Sequence, residues 1–479
     1  SLIQAVSFIE RELSTCNFSR QQPPPRQLSF SDPPNSAAGM SPTAGVNVPL
    51  LGHSTVAVKP ASIPGAVFNV ATSIVGAGIM SLPAIMKVLG VIPAVTMILV
   101  VAVLAEVSVD FLMRFTHSGE TTTYAGVMRE AFGSPGALAA QICVVITNIG
   151  GLILYLIIIG DVLSGKQNGG EVHFGLLQQW FGMQWWNSRE FALLFTLLFV
   201  MLPLVLYKRV ESLKYSSAVS TFLAVAFVGI CCGLAIVALV QGKTQTPRLF
   251  PQLDYQTSFF DLFTAVPVVV TAFTFHFNVH PIGFELAKPS DMATAVRLAL
   301  LLCAAIYLAI GLFGYLLFGN STQSDILINF DQNADSAVGS LFNTLVRVSY
   351  ALHVMLVFPL LNFSLRANID ELLFSKKPLL ATDNKRFVIL TLVLLAVSYL
   401  AAIAIPDIWY FFQFLGSSSV VCLGFIFPGS IVLRDAHGIS TRKDKIIALI
   451  MIILAVVTSV LAISTNIYNN SSIWGSIAM

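Results

Sequence analysis

Charge is scarce in this 479-residue sequence, where Asp, Glu, Lys and Arg together make up 10%. Soluble domains carry roughly 25%. Combined with 56% hydrophobic residues and a mean hydropathy of +0.81, the shortage excludes a globule in water and leaves a bilayer as the solvent. The net charge of +2 is too small and too mixed to attract nucleic acid. Cysteine contributes little: Cys143, Cys231, Cys232, Cys303 and Cys422 lie in apolar runs and only Cys16 in a polar segment, so no disulfide joins two loops. No Cys and His group has zinc-ligand spacing, so the cysteines read as small packing residues and neither a metal nor a cofactor is expected. An HExxH pair, a GxGD aspartate and a GxSxG nucleophile are also missing, which speaks against an intramembrane enzyme, and no catalytic residue is assigned.

What the sequence has in quantity is long apolar runs. Residues 1–61 are different: Pro23, Pro24, Pro25, Pro33 and Pro34 stand among Ser, Gln and Asn without an apolar period, and the segment reads as a disordered tail. Met40 opens a stretch of different character and is a candidate initiator. From Ser62 to residue 466, eleven apolar stretches recur at 65–89, 92–115, 137–163, 191–207, 216–241, 261–285, 297–318, 340–365, 387–405, 409–433 and 446–466. Each is close to the roughly 20 residues that a helix needs to cross about 30 Å of hydrocarbon. Residues 467–479 form a short terminal tail.

Lys and Arg give the orientation. With the long tail set aside, one face holds only Lys87, Lys166, Arg189, Lys243, Arg248 and Arg347, against 16 on the other. Positive loops face the cytosol, which places the N-terminus there and, for an odd number of spans, the C-terminus on the opposite, lumenal side. The sequons at Asn320 and Asn470 then fall on the lumenal side.

The first span is interrupted by Gly76, Ala77 and Gly78, with Pro83 a turn later. The sixth is interrupted by His276, Asn278, His280 and Pro281. Backbone groups freed by such breaks need partners that lipid does not supply. Two breaks five spans apart point to transporters with inverted five-helix repeats, in which half-helix N-termini hold a substrate carboxylate and unwound carbonyls hold ions. A channel has no need of two broken helices.

At these breaks the chain resembles the amino acid/auxin permease family. The strings FNVATSIVGAGIMSLP (Phe68 to Pro83), VPVVVTAFTFHFNVHPIGFEL (Val266 to Leu286) and LPLVLYKRVESLKYSS (Leu202 to Ser217) are similar to its first span, its sixth span and its loop between spans four and five. The likeness covers nearly everything after residue 62. It implies an all-α integral membrane protein of LeuT-like fold, with eleven transmembrane helices, ten of them in a 5+5 inverted repeat with helices 1 and 6 broken, and amino acid transport driven by an ion gradient.

Within the family, the sodium-coupled neutral amino acid transporters carry Asn where this chain has Thr72 and Thr in span eight, where none occurs between Val346 and Phe374. Those departures favour a proton as the coupling ion and a resemblance to the vacuolar branch, whose members export amino acids from acidic organelles to the cytosol. The resemblance thus implies an amino acid as substrate, a vacuolar or lysosomal membrane, and a chain working as a monomer. Sodium coupling with a glutamine-like neutral substrate stays open, as does an amino acid sensor of the same fold.

The site residues follow. Gly76, Ala77 and Gly78 offer backbone donors to a carboxylate, and Asn69, Thr72, Asn278 and Ser349 offer polar side chains, on the family's architecture. His276 and His280, at a level where protons from an acidic lumen would reach them, are proton-coupling candidates, together with Glu106 in span two. A buried histidine also serves simply to bond a freed carbonyl, and Glu106 to pair with a cation. Tyr155, Glu285 and Lys288 are gate candidates, with packing and an ordinary interfacial ion pair as the alternatives.

Overall fold

A computed structural model of the chain describes residues 62–168, 171–206, 214–253, 259–286, 288, 290–330, 337–374, 377–378, 380–405 and 408–477. The tail expected over 1–61 therefore lies outside the described residues. Among those described, the chain is helical except for one hairpin, in which Lys166–Asn168 pairs antiparallel with Glu171–His173.

Among the described residues, nine helices are long and apolar enough to cross a membrane, and a bent pair, Ile63–Ile74 with Ala77–Leu89, makes ten. The expected fourth span is helical but short: Arg189–Thr196, a π-turn at Leu197–Met201 and Leu202–Val205. Pro203 lies just beyond that π-turn and has no N–H to give the carbonyl of Phe199, so the hydrogen-bond register slips there. Span ten, Ile408–Arg434, carries two further π-turns, at Gly416–Val420 and Cys422–Ile426. Pro428 likewise leaves the Gly424 carbonyl without its helical donor, and Ser108 of span two donates to it instead, while Tyr124 Oη donates to the Leu423 carbonyl at 2.6 Å. The last helix continues to Ile477.

Apolar side chains cover the outside of the bundle, as lipid contact requires: Phe222, Leu301, Ile389 and Leu400 are all strongly exposed. Inside, span seven (Asp291–Phe318) lies along both halves of span one, and span eight (Ala337–Phe374) packs between spans three (Tyr124–Ser164) and five (Lys214–Val240). The hairpin and the connection between spans seven and eight lie at one end of the bundle, the outer end. There the loop before span six clamps the start of span two, with Val91 N donating to the Arg248 carbonyl (2.9 Å) and Ile92 N to that of Leu249 (3.0 Å). Gly90, at φ +75°, makes the corner possible, since a Cβ there would meet the Phe250 backbone at 2.5 Å.

Candidate functional site

Span one breaks where its sequence stops favouring a helix. Ile63–Ile74 ends at Val75, whose extended backbone passes through Gly76 (φ −141°, ψ −150°) into a 3-10 turn at Ala77–Ser81, and the two halves meet at 56°. The N–H groups of Ala77 and Gly78 open the second half and have no acceptor inside it. Span six breaks as well: Ala265–Ala272 ends, residues 273–275 are irregular, and a 3-10 turn at His276–Asn278 leads into Val279–Glu285. The breaks touch, since a Cβ on Gly78 would fall 2.6 Å from the Cβ of Ala272.

Three tyrosines surround these breaks. Tyr307 Oη, from span seven, lies 2.8 Å from both the Ile74 and the Ala272 carbonyls, the last of each first half. Tyr350 Oη, from span eight, donates to the Gly76 carbonyl at 2.6 Å. The Tyr155 hydroxyl stands where a Gly76 Cβ would come within 2.8 Å of it, so Tyr155 packs directly against the first break. Tyr307 and Tyr350 escape sequence reasoning because a tyrosine in an apolar span usually packs; their lone signal is a polar tip with no obvious loop to reach.

The polar residues divide into those at the breaks and those turned back on their own helix. Asn278 Nδ2 donates to Ser73 Oγ at 3.3 Å and joins the two breaks, while the Ser73 hydroxyl gives its own proton to the Asn69 carbonyl at 2.9 Å. Ser73 escapes a sequence reading, although it neighbours Thr72. Thr72 Oγ1 donates to the Phe68 carbonyl (2.8 Å) and Ser349 Oγ to that of Val346 (2.9 Å), so neither hydroxyl proton is free as they stand. Asn69 is exposed.

The two histidines differ. His276 is 1% exposed, and among the described residues neither ring nitrogen has a hydrogen-bond partner; its ring stands between Phe275 and Phe425 and over Gly424 of the second π-turn. His280 Nε2 is 2.9 Å from Thr116 Oγ1. That hydroxyl gives its one proton to the Leu112 carbonyl, so His280 donates from Nε2 and is left with an unpartnered Nδ1. Away from the breaks, Glu106 pairs with Arg297 of span seven at 2.7 Å, Lys288 is exposed, and the Glu285 side chain lies outside the described residues. A cavity of about 420 Å³ opens between spans three, ten and eleven, and none of the break residues lines it. Among the described residues no group of three metal-ligating side chains occurs.

The chain matches the family described as transmembrane amino acid transporter protein over residues 59–469. It is 62% identical over 408 residues to the amino acid transporter AVT6C of Arabidopsis thaliana, covering 85% of this chain and 94% of the relative. It is 26% identical to the sodium-coupled neutral amino acid transporter 4 of Pongo abelii, over 81% of each. In fold it is similar to the manganese transporter of Eremococcus coleocola (TM-score 0.54, 14% identity, 84% of this chain and 86% of that one) and to MhsT in complex with L-phenylalanine (TM-score 0.51, 14% identity, 85% and 98%). With paired broken helices at its centre and this match along most of its length, the chain belongs to the transmembrane amino acid transporter family of the amino acid/auxin permease type, and is a transporter rather than an enzyme.

Proposed function

We propose that the chain is a proton-coupled secondary transporter that moves amino acids from an acidic vacuolar or lysosomal lumen to the cytosol, with its N-terminus cytosolic and eleven helices built on a 5+5 inverted repeat. The observation that carries this reading is the pair of touching breaks clasped by Tyr307, with the fully buried, unbonded imidazole of His276 in one of them. The N–H groups of Ala77 and Gly78, which show no acceptor among the described residues, receive the substrate carboxylate at a helix N-terminus, where the backbone dipole also favours an anion. Asn278 and the acceptor side of Ser73 Oγ, whose proton goes to the Asn69 carbonyl, join the two breaks and serve the amino group or a bound ion. His276 takes the coupling proton, because an imidazole is the side chain whose ordinary range spans the step from an acidic lumen to a neutral cytosol.

The other candidates take narrower parts. Tyr155 is an outer gate. Thr72 and Ser349 enter the site only by giving up their present backbone bonds. The Arg297 pair accounts for Glu106 without a coupling role.

The test is reconstitution in liposomes, with uptake of labelled aspartate, glutamate, glutamine and alanine under separately imposed proton and sodium gradients, for the wild type and for His276→Gln. Proton-driven, sodium-indifferent uptake that the variant loses is the expected result. Sodium-driven uptake would favour a glutamine-type symporter, and saturable binding without flux would favour a sensor.

A further inference from the structure

The connection between spans seven and eight is docked on the outer half of span one. Ser81 Oγ, in the 3-10 turn that follows the break, donates to the Ser324 carbonyl at 2.7 Å, and Lys87 Nζ donates to that of Thr322 at 3.0 Å. Ile326 Cδ1 fills the space beside Pro83 and Gly314, so close that a Cβ on the glycine would be 2.5 Å away. Arg248 donates to Asn320 Oδ1 at 3.0 Å. Residues 319–330 thus seal the outer end above the substrate site.

A carboxylate sits inside this seal. Asp325 is fully buried. Its Oδ1 accepts from Leu327 N at 2.9 Å, as the cap of the short helix Ile326–Asn329, and among the described residues its Oδ2 has no hydrogen-bond partner. An ionised oxygen held dry and unbonded is costly, whereas a protonated one asks for a single acceptor.

The charged groups around Asp325 come from every element packed on it. Asp161 and Lys166 come from the end of span three, with Arg189 of span four ion-paired to Asp161, and Arg347 comes from span eight. Lys87 of span one and Arg248 hold the same segment, and His173 lies opposite Lys166 in the hairpin. The Lys166 ammonium is also buried without a hydrogen bond among the described residues.

We propose that Asp325 is a proton-binding site that controls the outer seal: protonated, it lets residues 319–330 close over the broken part of span one, and ionised, it drives them off into water. Burial, followed by repulsion from Asp161, pushes the Asp325 carboxyl up to about 7, against the Leu327 N–H, Lys166 and Arg347. In an open, hydrated seal the group returns toward the ordinary carboxylate value of about 3.9. The closed seal therefore binds the proton more tightly. Its advantage is complete below the ordinary value, falls as pH rises and is gone above about 7.

The proposal rests on the reading of the outer end as an acidic lumen, where it makes closure over loaded substrate conditional on a proton from that side. His276 remains the coupling group at the centre.

The test reads the seal without substrate. An Ile326→Cys reporter in proteoliposomes is labelled by a membrane-impermeant maleimide from the outer face, with the labelling rate corrected for the reagent's own pH dependence. The corrected rate is expected to climb with pH by up to about tenfold per unit and to level off above about pH 7. Adding Asp325→Asn, which keeps the helix-capping oxygen, should give slow labelling at every pH. Adding Lys166→Gln should move the midpoint to higher pH, a shift that a purely structural lysine would not cause. Labelling that ignores pH, or that keeps its pH profile in the Asp325→Asn background, would overturn the proposal. Amino acid flux measured in the same vesicles separates the two readings: absent flux with intact pH-dependent labelling refutes proton-coupled transport and leaves the seal in place, and the reverse refutes the seal alone.

Discussion

Tyr307 Oη reaches the carbonyl of Ile74 at 2.8 Å and stands equally far from that of Ala272, so one hydroxyl proton is shared between the two places where the membrane helices come apart. Neither carbonyl has a helical donor once its helix stops, and lipid offers none. Tyr307→Phe removes the donor and keeps the ring against Phe273. Leaving buried carbonyls unsatisfied costs about 1–3 kcal/mol. The expected outcome is a lower unfolding temperature in detergent together with a reduced maximal uptake rate, and wild-type values for both would show that the two carbonyls find other partners.

Gly78 and Ala272 set the distance between the breaks. The missing side chain matters here for space, because a Cβ would stand 2.6 Å from the Ala272 Cβ and 2.7 Å from its Cα. Backbone on both sides leaves nothing flexible to move, so Gly78→Ala pushes the half-helices apart and displaces the N–H groups offered to substrate. Uptake is expected to fall by more than about tenfold, since a misplacement of about 1 Å costs on the order of a hundredfold in a positioned site. Gly229, with open space around it, is the control: Gly229→Ala should leave uptake unchanged.

Much of this arrangement is legible in the residues themselves. Gly76, Ala77 and Gly78 announce the first break and His276 to Pro281 the second, because glycine, proline and clustered polar groups are what an apolar helix cannot absorb. The closing of the breaks is not legible, since Tyr307 and Tyr350 reach them from spans 233 and 274 positions further along the chain and only three-dimensional packing brings them in. The same holds for span ten, where Pro428 hints at a disturbance but the donors that repair it, Ser108 and Tyr124, come from spans two and three. Asp325 escapes a sequence reading for a related reason: a carboxylate in a polar loop looks hydrated until the loop is seen folded into the bundle.

Glu106 has two readings from sequence, a coupling carboxylate or half of an ion pair, and the structure gives it a cationic partner. An intramembrane carboxylate invites a coupling role, yet it bonds Arg297 Nε at 2.7 Å, and the arginine is 62% exposed against 21% for the glutamate. A half-exposed pair of this kind contributes about 0.2–1 kcal/mol. Glu106→Gln and Arg297→Gln should each lower the unfolding temperature slightly, and the double variant should lose less than the two singles together. The dependence of uptake on the proton gradient should persist in all three. Its loss in Glu106→Gln alone would return the residue to the coupling path.

Asp435 offers a pH test away from the membrane core. It is the lone non-glycine residue with positive φ among those described (φ 50°, ψ 51°) and ends the helix Phe427–Arg434. Its carboxylate accepts from Ile439 N (2.9 Å), Ser440 N (3.0 Å) and Lys445 Nζ (3.0 Å), which ties the turn to the start of the last span. Slight burial raises the carboxyl, but the hydrogen bonds from Lys445 and Ser440 outweigh it and hold the group below its ordinary value. A depressed carboxyl stabilises the fold above its ordinary range and loses that contribution as pH falls through the lowered value. Asp435→Asn keeps one acceptor and tolerates the left-handed backbone, whereas Asp435→Ala loses the acceptors and strains the turn. Unfolding temperatures at pH 7 should therefore rank wild type, Asn, Ala. The gap between wild type and Asn should narrow as the buffer is taken below pH 4, because protonation removes the charge from the wild type and leaves the amide untouched. A gap that stays constant with pH would mean that the ion pair with Lys445 contributes nothing and that the backbone bonds alone hold this turn.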